Sequence, residues 1–491
     1  MPAGAAKTDH KPSATCIVAA IAAVLIVIDL LRILKVPVTH DEGITYNDYI
    51  TASWLDIISM HPTSANDHIL NSLFSKFFRL LFGDGQFVLR LTSLLSLALY
   101  QYFSFRILKQ LSADIFFIVA GFILLNCNPF LFEFFGLCRG YALSVALMMC
   151  SIHLLLRYAE QEKATLQWYS LAAAMAAVYA NYSLLYFYLG LIVALSYVVS
   201  KRAGFTGAMF RQLLPSVLSA VILFLTMVGN LKALHDDDQL YYGGDRGFVR
   251  DTMATLVHES LYLAGNGRLA ITLAWVLVGF IASAGLCWLI KALSKKRPAN
   301  SRTVIILLIL FCTPALANAA QHYFTGGKYL IERTALFYYP LLVCNLLYLV
   351  ATLPRLFMRS AATLGALAML LHFTMQLNFV TTRSWPDDAP VLLVMKKMLG
   401  GQTHHAAKIK VRASWRLQPA LQYYIASHYS TSFEPVLYTH DPVTTDTGFD
   451  YYYIHIDELP LISPLYKTDT VVNEGRFLLL RKSTSAISSA N

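Results

Sequence analysis

His40-Asp41-Glu42 follows directly on an apolar run from Cys16 to Ile33. An acid at that boundary stays ionised, the ordinary Asp pKa being about 3.9, yet stands within reach of a lipid headgroup. A hydroxyl that attacks an anomeric carbon needs a positioned base for its proton, and a carboxylate is the usual choice. The plain alternative is that two loop acids only keep the loop hydrated. A second group is Arg139-Gly140-Tyr141, with Glu133 one to two turns earlier. Charge near the hydrocarbon boundary is costly and tends to be functional, although an Arg there also sets helix depth by snorkelling. A third is Gly326-Gly327-Lys328-Tyr329, running on to Arg333-Thr334. Arg333 as a planar fork and Lys328 as a point charge both suit a phosphate, and membrane anchoring is the competing reading.

Other features point to less. Asp236–Asp238 reads as a solvated loop tip, and His404-His405 lacks a third ligand at useful spacing. Asn181-Tyr182-Ser183 fits a glycosylation sequon but falls in a turn between spans. Asp29 and Arg32, at i and i+3, are expected to pair within one helix. Cys16, Cys127, Cys138, Cys150, Cys287, Cys312 and Cys344 all lie in or at apolar segments without metal-ligand spacing. Neither a disulfide framework nor a metal site is expected, and no cofactor is required; a divalent cation has no support in the residues.

These residues must be positioned by a membrane-embedded scaffold. The chain has 491 residues, is 56% hydrophobic and 14% charged, and has a mean hydropathy of +0.52. Soluble domains carry about 25% charged residues. About eleven stretches approach the length that crosses a bilayer core: 15–35, 86–107, 114–135, 139–157, 168–181, 183–200, 212–232, 269–290, 303–320, 334–352 and 361–380. The first is long and lacks a small-x-small cleavage pattern, so it reads as an uncleaved span. A formal charge of +10 would suggest nucleic acid in a soluble protein. Here the cations gather in alternate loops (Arg106 and Lys109, Arg157 and Lys163, Lys201 and Arg202, Lys295 to Arg297, Arg355 and Arg359), which marks those loops as cytoplasmic and leaves no nucleic-acid partner. His40-Asp41-Glu42 then lies on the opposite face, together with the C-terminus.

The first outer loop, 36–85, is long enough to be functional. Ile69, Leu70, Leu73, Phe74, Phe77, Phe78 and Leu81 mark one face of a helix, with Asn71, Ser72, Ser75, Lys76 and Arg79 on the other. Such a helix lies in the interface plane, and Asn66 or Asp67 can cap its start. Ile44–Ile58 reads as a second interfacial helix. From about Thr381 the pattern changes to strand-like runs (Lys408–Val411, Val436–Thr439, Tyr451–Ile456, Phe477–Arg481) and one helix near Leu417–Ser427, enough for a small α/β domain.

The order of these features resembles that of the GT-C glycosyltransferases, in the branch containing protein O-mannosyltransferases and lipid A aminoarabinose transferases. Asp41-Glu42 matches the Asp-Glu pair that opens the family's first outer loop. Asn66-Asp67-His68-Ile69-Leu70, Phe82-Gly83-Asp84, Arg90-Leu91, Asn128-Pro129 and Arg139-Gly140-Tyr141-Ala142-Leu143 follow in the family's order, and Arg333 with Pro340-Leu341 matches a later outer Arg. The likeness spans roughly residues 15–350 and is densest in the first 160. Many relatives carry a polar or acidic residue just before the Arg-Gly-Tyr, where this chain has Leu137-Cys138.

The resemblance implies an all-α, polytopic GT-C-like membrane domain over 15–380, a cytoplasmic segment 1–14 and a non-cytoplasmic α/β domain over 381–491. It implies transfer of one sugar from a polyprenyl-phosphate carrier to a hydroxyl of a glycan, lipid or protein, by inverting displacement that needs no metal. Asp41 would be the base. Arg333, Lys328 and Arg139 would hold the donor phosphate, and Glu42, His68, Tyr141 and Glu133 would position substrates. The family branch points to a bacterial inner membrane with the site on the periplasmic face. Two rival readings share the sequence: a transporter or flippase of a lipid-linked sugar, and a glycan polymerase or ligase. Transporters place ionisable groups at the bilayer midplane in repeated halves, whereas these charges cluster at the outer mouth and no repeat is visible.

Overall fold

A computed structural model describes residues 13–204, 206–293, 301–401, 407–441, 443, 448–462 and 468–482. His404-His405, Lys295, Lys296 and Arg297 lie outside the described residues, as does the segment 1–12. Helix α1 (Ala14–Lys35) is followed in the first loop by the short α2 (His40–Ile44) and α3 (Trp54–Ile58), then α4 (Ile69–Phe82) and α5 (Gln86–Leu89). The bundle continues with α6 (Leu91–Leu111), α7 (Ile115–Asn126), α8 (Pro129–Phe135), α9 (Gly140–Gln161), α10 (Ala164–Ala180), α11 (Leu185–Ala203) and α12 (Gly207–Asp236). It closes with α13 (Ala254–Ser260), α14 (Gly267–Leu293), α15 (Ser301–Thr325), α16 (Tyr338–Ala351) and α17 (Arg355–Gln376).

Every expected span coincides with a helix or a helix pair. By length and apolarity, seven of the described helices can cross a membrane, or eight if α7 and α8 form one bent span. The chain is a multi-pass membrane protein. The remaining segments are also helical but shorter, as in α10 and α16, or more polar, as in α6 with its buried Thr92, Ser93, Ser96, Gln101 and Ser104. The second span starts later than expected, at Leu91, because the chain turns at Arg90 to aim that side chain inward. Asn128-Pro129 has a direct structural use. Pro129 begins a new helix, the Asn128 side chain accepts from Leu131 N at 2.9 Å, and α8 leaves α7 at 68°.

Helix α4 carries its polarity inside out. Asn71, Ser72, Ser75 and Lys76 are buried, while Phe74, Phe77, Leu80, Leu81 and Phe82 are exposed. That arrangement suits a helix whose outer face meets lipid, not water. The expected cap is not made. His68 occupies the N-cap position without a side-chain bond. Asp67 instead accepts from Ser72 Oγ at 2.7 Å, and Asn66 Nδ2 donates to the Asp41 carbonyl at 3.1 Å. The second expected interfacial helix is broken into α2, a wide helical turn over Thr45–Ile50, and α3, which starts afresh at the capping box of Ser53 and Asp56.

After α17 come α18 (Val391–Gly400), β1 (Val411–Ala413), α19 (Gln418–His428), β2 (Tyr451–His455), α20 (Leu459–Ile462), β3 (Thr468–Glu474) and β4 (Phe477–Lys482). The sheet order is β1-β2-β4-β3, with β1 parallel to β2 and the other pairs antiparallel. The expected strand at Val436–Thr439 is absent. Side chains of α19 satisfy its backbone instead: Gln422 Nε2 donates to the Val436 carbonyl and Thr439 N donates to Gln418 Oε1, both at 2.8 Å. Strand β3 escapes a hydrophobic reading because it is a mostly exposed edge with the sequence TDTVVNE.

Loop and outer domain share one core, in which Val38, Tyr46, Ile50 and Leu89 pack with Leu417, Leu421, Tyr423 and Tyr424. At the seam, a Cβ on Gly43 would lie 2.3 Å from the Pro419 carbonyl oxygen, so only glycine lets α2 rest on the start of α19. Gly43→Ala is expected to lower the melting temperature of the detergent-purified protein and to expose residues beyond 381 to protease. Unchanged melting and proteolysis would show that the seam does not hold the two parts together.

Candidate active site

The loop that presents Asp41 is fixed by a buried ion pair. Glu42 and Arg90 side chains are both 0% exposed and meet at 2.6 and 2.7 Å. Arg90 also donates to the carbonyls of Ile33, Val36 and Pro37 at the end of α1. Glu42 in turn accepts from Thr39 N at 3.0 Å and from Cys138 N at 2.6 Å. One contact therefore ties α1, α2, α6 and the turn before α9. Both oxygens of Glu42 are occupied, so its carboxylate is committed to holding the loop. The Cys138 side chain is itself buried, beside Asn71 and Ser75. A carboxylate there would confront Glu42 in the same buried spot.

Asp41 points the other way. Its Oδ2 lies 3.5 Å from an Arg139 amino group and 3.7 Å from one of Arg333, and that oxygen has no hydrogen-bond partner. Arg139 is held by the Asn66 carbonyl at 3.1 Å and by Thr45 Oγ1 at 3.3 Å, and its Nε is buried without a partner. Its guanidinium lies over the Tyr141 ring, and that ring meets His68 edge-on with centroids 4.9 Å apart. Gly140 permits this packing, since a Cβ there would overlap the Ala180 carbonyl and the His68 ring.

Arg333 reaches the site from a short helical turn over Glu332–Ala335. Glu332 has φ +48, a left-handed conformation that a non-glycine residue keeps only when its surroundings enforce it. Its N–H donates to Thr255 Oγ1 at 2.9 Å, and its carboxylate accepts from the Tyr242 hydroxyl. The Arg333 guanidinium is sandwiched between Tyr242 and Trp385, at 5.0 and 5.2 Å from the ring centroids. Arg333 retains 25% side-chain exposure against 2% for Arg139, which makes it the more movable of the two.

Glu133 lies to one side of this group. It pairs with Arg32 at 3.6 Å and accepts from Arg383 N with both oxygens, at 3.1 Å each. It thereby anchors the connector that delivers Trp385 to Asp41. The expected Asp29–Arg32 pair is not formed, because Arg32 turns to Glu133 and to the Asn378 carbonyl. Lys328 is also absent from the group. Its ammonium is bound to Asp245 at 2.7 and 2.9 Å, on a segment tied to the neighbouring loop by the Gly244–Tyr329 bridge. Among the described residues, no cluster of three or more His, Cys, Asp or Glu could hold a metal ion.

The electrostatics follow from burial between cations. Burial raises the Asp41 pKa, but Arg139, then Arg333, His40 and the Trp385 indole together hold it below the usual carboxylate range. Burial, with Arg139 and Arg333 adding, pushes His68 well below the usual imidazole range, so the ring is neutral. Burial raises Asp67 to about 7, against the Ser72 hydroxyl and Arg139. Burial, with the charge of Asp41 adding, pushes Asp388 well above the ordinary range although it accepts from His40 N at 2.6 Å. Asp67, which lies within the Asn66–Leu70 motif, joins the site, and so do Trp385, Tyr242 and Asp388, which no motif marks. An aromatic just past the last span, as at Trp385, reads in sequence as an interfacial anchor.

Arg90→Met leaves Glu42 buried and unpaired, a change that costs about 3–5 kcal/mol. It is expected to lower thermal stability far more than Arg333→Gln does, and equal melting of the two variants would contradict the anchoring role. Asp41, with its depressed pKa, contributes stability that is complete above the unfolded-state pKa and is lost as pH falls through the folded value. Arg333→Gln removes one restraining charge, so the carboxyl band of Asp41, assigned by infrared difference against Asp41→Asn, should titrate at higher pH. An unmoved band would show that Arg333 does not act on Asp41.

No protein-family model and no curated protein matches the chain. Solved structures do. ArnT from Cupriavidus metallidurans bound to undecaprenyl phosphate superposes with a TM-score of 0.57 at 13% identity, covering 96% of this chain and 98% of that one. The same protein in the apo state superposes at 0.52, also at 13% identity, covering 95% and 98%. The likeness runs through the membrane bundle and the outer domain alike, and at this identity it is one of fold: the chain has an ArnT-like fold.

Proposed function

We propose that this protein is an integral membrane glycosyltransferase that moves one sugar from a polyprenyl-phosphate carrier to an acceptor hydroxyl at the non-cytoplasmic face. The observation that carries the reading is a carboxylate flanked by two guanidiniums at the end of a membrane span, on a fold shared with a protein solved with undecaprenyl phosphate. A donor of this class keeps its chain in the bilayer and brings its phosphate to that level. Arg333, sandwiched but part-exposed, and Arg139, with an unpartnered Nε, are the groups that would receive it.

The acceptor oxygen attacks the anomeric carbon and its proton passes to Asp41. The bond from that carbon to the phosphate oxygen breaks, its electron pair leaves with the polyprenyl phosphate, and configuration inverts. Arg139 and Arg333 stabilise the charge that develops on the leaving phosphate, a contribution that is often the largest in such sites. Their resting contact with Asp41 makes that carboxylate a weak base before the donor arrives. A bound phosphate draws the guanidiniums to itself and restores the basicity of Asp41 when it is needed. Neutral His68, Tyr141 and Trp385 form an apolar-edged wall suited to a sugar face, while Glu42 and Glu133 act only by holding the frame.

A knockout strain complemented with wild type or with Asp41→Asn, its envelope glycolipids and glycoproteins compared by mass spectrometry, tests this reading without a choice of sugar. Wild type should restore a one-sugar mass difference, and an equally abundant Asp41→Asn should transfer about 10²- to 10⁴-fold more slowly. Full restoration by Asp41→Asn would remove Asp41 as the base, and a polymer-sized difference would favour a polymerase or ligase.

A further inference from the structure

A groove of about 840 Å³ lies at the end of the bundle opposite Asp41, between α1, α6, α7 and α9. It falls within the roughly 300–1,000 Å³ usual for small-molecule sites. On α1 it extends from Thr15 to Ile26, and on α6 from Lys109 back to Ala98. At about 1.5 Å per residue each helix gives it a length of about 16 Å, which is half of a hydrocarbon core about 30 Å thick. The groove is thus one leaflet deep. Its walls in that depth are mainly Val18, Ala19, Ala22, Ile26, Ala98 and Phe122, small on one side and mostly apolar, with Gln101 turned to the Ala22 carbonyl.

The chemistry changes at the mouth. Arg106, Lys109 and Arg157 line it, against the single carboxylate of Glu160. Among the described residues, none of these three cations lies within ion-pair distance of an acid; Arg106 donates to the Tyr102 hydroxyl at 2.7 Å, and Lys109 lies over the Phe105 ring. Arg157 Nε is buried and has no partner. Gln110 gives its oxygen to His153 Nδ1 at 3.1 Å, which leaves Gln110 Nε2 buried and unpartnered beside the same mouth. Donors without acceptors gather at the polar end of an apolar, leaflet-deep groove.

The structure assigns this groove to an anionic phospholipid of the leaflet opposite the candidate active site. Its phosphodiester accepts from Arg106, Arg157 and Gln110 Nε2, and an acyl chain lies along α1 and α6. A free phosphate would use the cations but not the groove, and a zwitterionic lipid would bring its own cation against theirs. The assignment rests on neither the donor nor the chemistry proposed for Asp41.

The test is native mass spectrometry of the full-length protein in nonionic detergent with phosphatidylglycerol, with phosphatidylcholine of the same chains, with undecaprenyl phosphate, or with inorganic phosphate as competitor. Wild type should retain phosphatidylglycerol at least tenfold better than phosphatidylcholine. Arg106→Gln/Arg157→Gln should lose that preference, Arg157→Lys should keep most of it, and Ala22→Phe, which fills the groove, should lose retention of both lipids. Thermal melting of each lipid-free variant separates lost binding from lost folding. Equal retention of the two phospholipids, retention unchanged in the double variant, displacement by inorganic phosphate, or stronger retention of undecaprenyl phosphate at this groove would each overturn the assignment.

Discussion

The pairing of Glu42 with Arg90 is the constraint on which the site depends. Both side chains are fully buried, and each is saturated by hydrogen bonds: Arg90 by carbonyls at the end of α1, Glu42 by backbone N–H groups of Thr39 and Cys138. A buried pair is weak support for stability as such, because desolvation offsets much of the attraction. What it fixes here is geometry. It decides where the chain leaves the membrane, and therefore where Asp41, the residue just before Glu42, stands relative to Arg139 and Arg333.

With that anchor in place, the surrounding charge follows a division of labour. Glu42 and Glu133 are closed structural contacts, each carboxylate accepting from backbone N–H with both oxygens engaged, and they clamp α1, the α8–α9 turn and the connector to the outer domain. Asp41, Arg139 and Arg333 are open: their separations of 3.5 and 3.7 Å are long for ion pairs, and Asp41 Oδ2 and Arg139 Nε lack hydrogen-bond partners. Buried polar atoms are almost always satisfied. This incompletely satisfied set of opposite charges is the arrangement on which the proposed transfer rests.

Much of this was legible in the residues, and the failures have identifiable causes. Periodicity and length place the spans because a bilayer demands long apolar helices. Asp41, Arg139, Arg333, His68 and Tyr141 stand out because charge and polarity at a membrane boundary are conspicuous, and the fold brings them together. Lys328 looks equivalent to Arg333 in sequence, but Asp245, some eighty residues away, captures its ammonium. Asp29 and Arg32 have helical spacing for a pair, yet a residue on another helix competes better for Arg32. Trp385 and Asp388 are invisible in sequence because they reach Asp41 only through the folded connector. Helix α4 was readable as amphipathic, and the membrane context, not the pattern, decides which face turns inward.

The central claim is that Asp41 and the donor phosphate compete for the same two guanidiniums. Binding of undecaprenyl phosphate to purified Asp41→Asn, compared with wild type at matched pH and salt, tests it most directly. Removing the carboxylate's charge frees Arg139 and Arg333 and ends its repulsion of the phosphate, so the variant should bind about tenfold more tightly, equivalent to roughly 1.4 kcal/mol, although it transfers far more slowly. Equal or weaker binding by Asp41→Asn would contradict the account, because the phosphate would then not be drawing on the charges that hold Asp41.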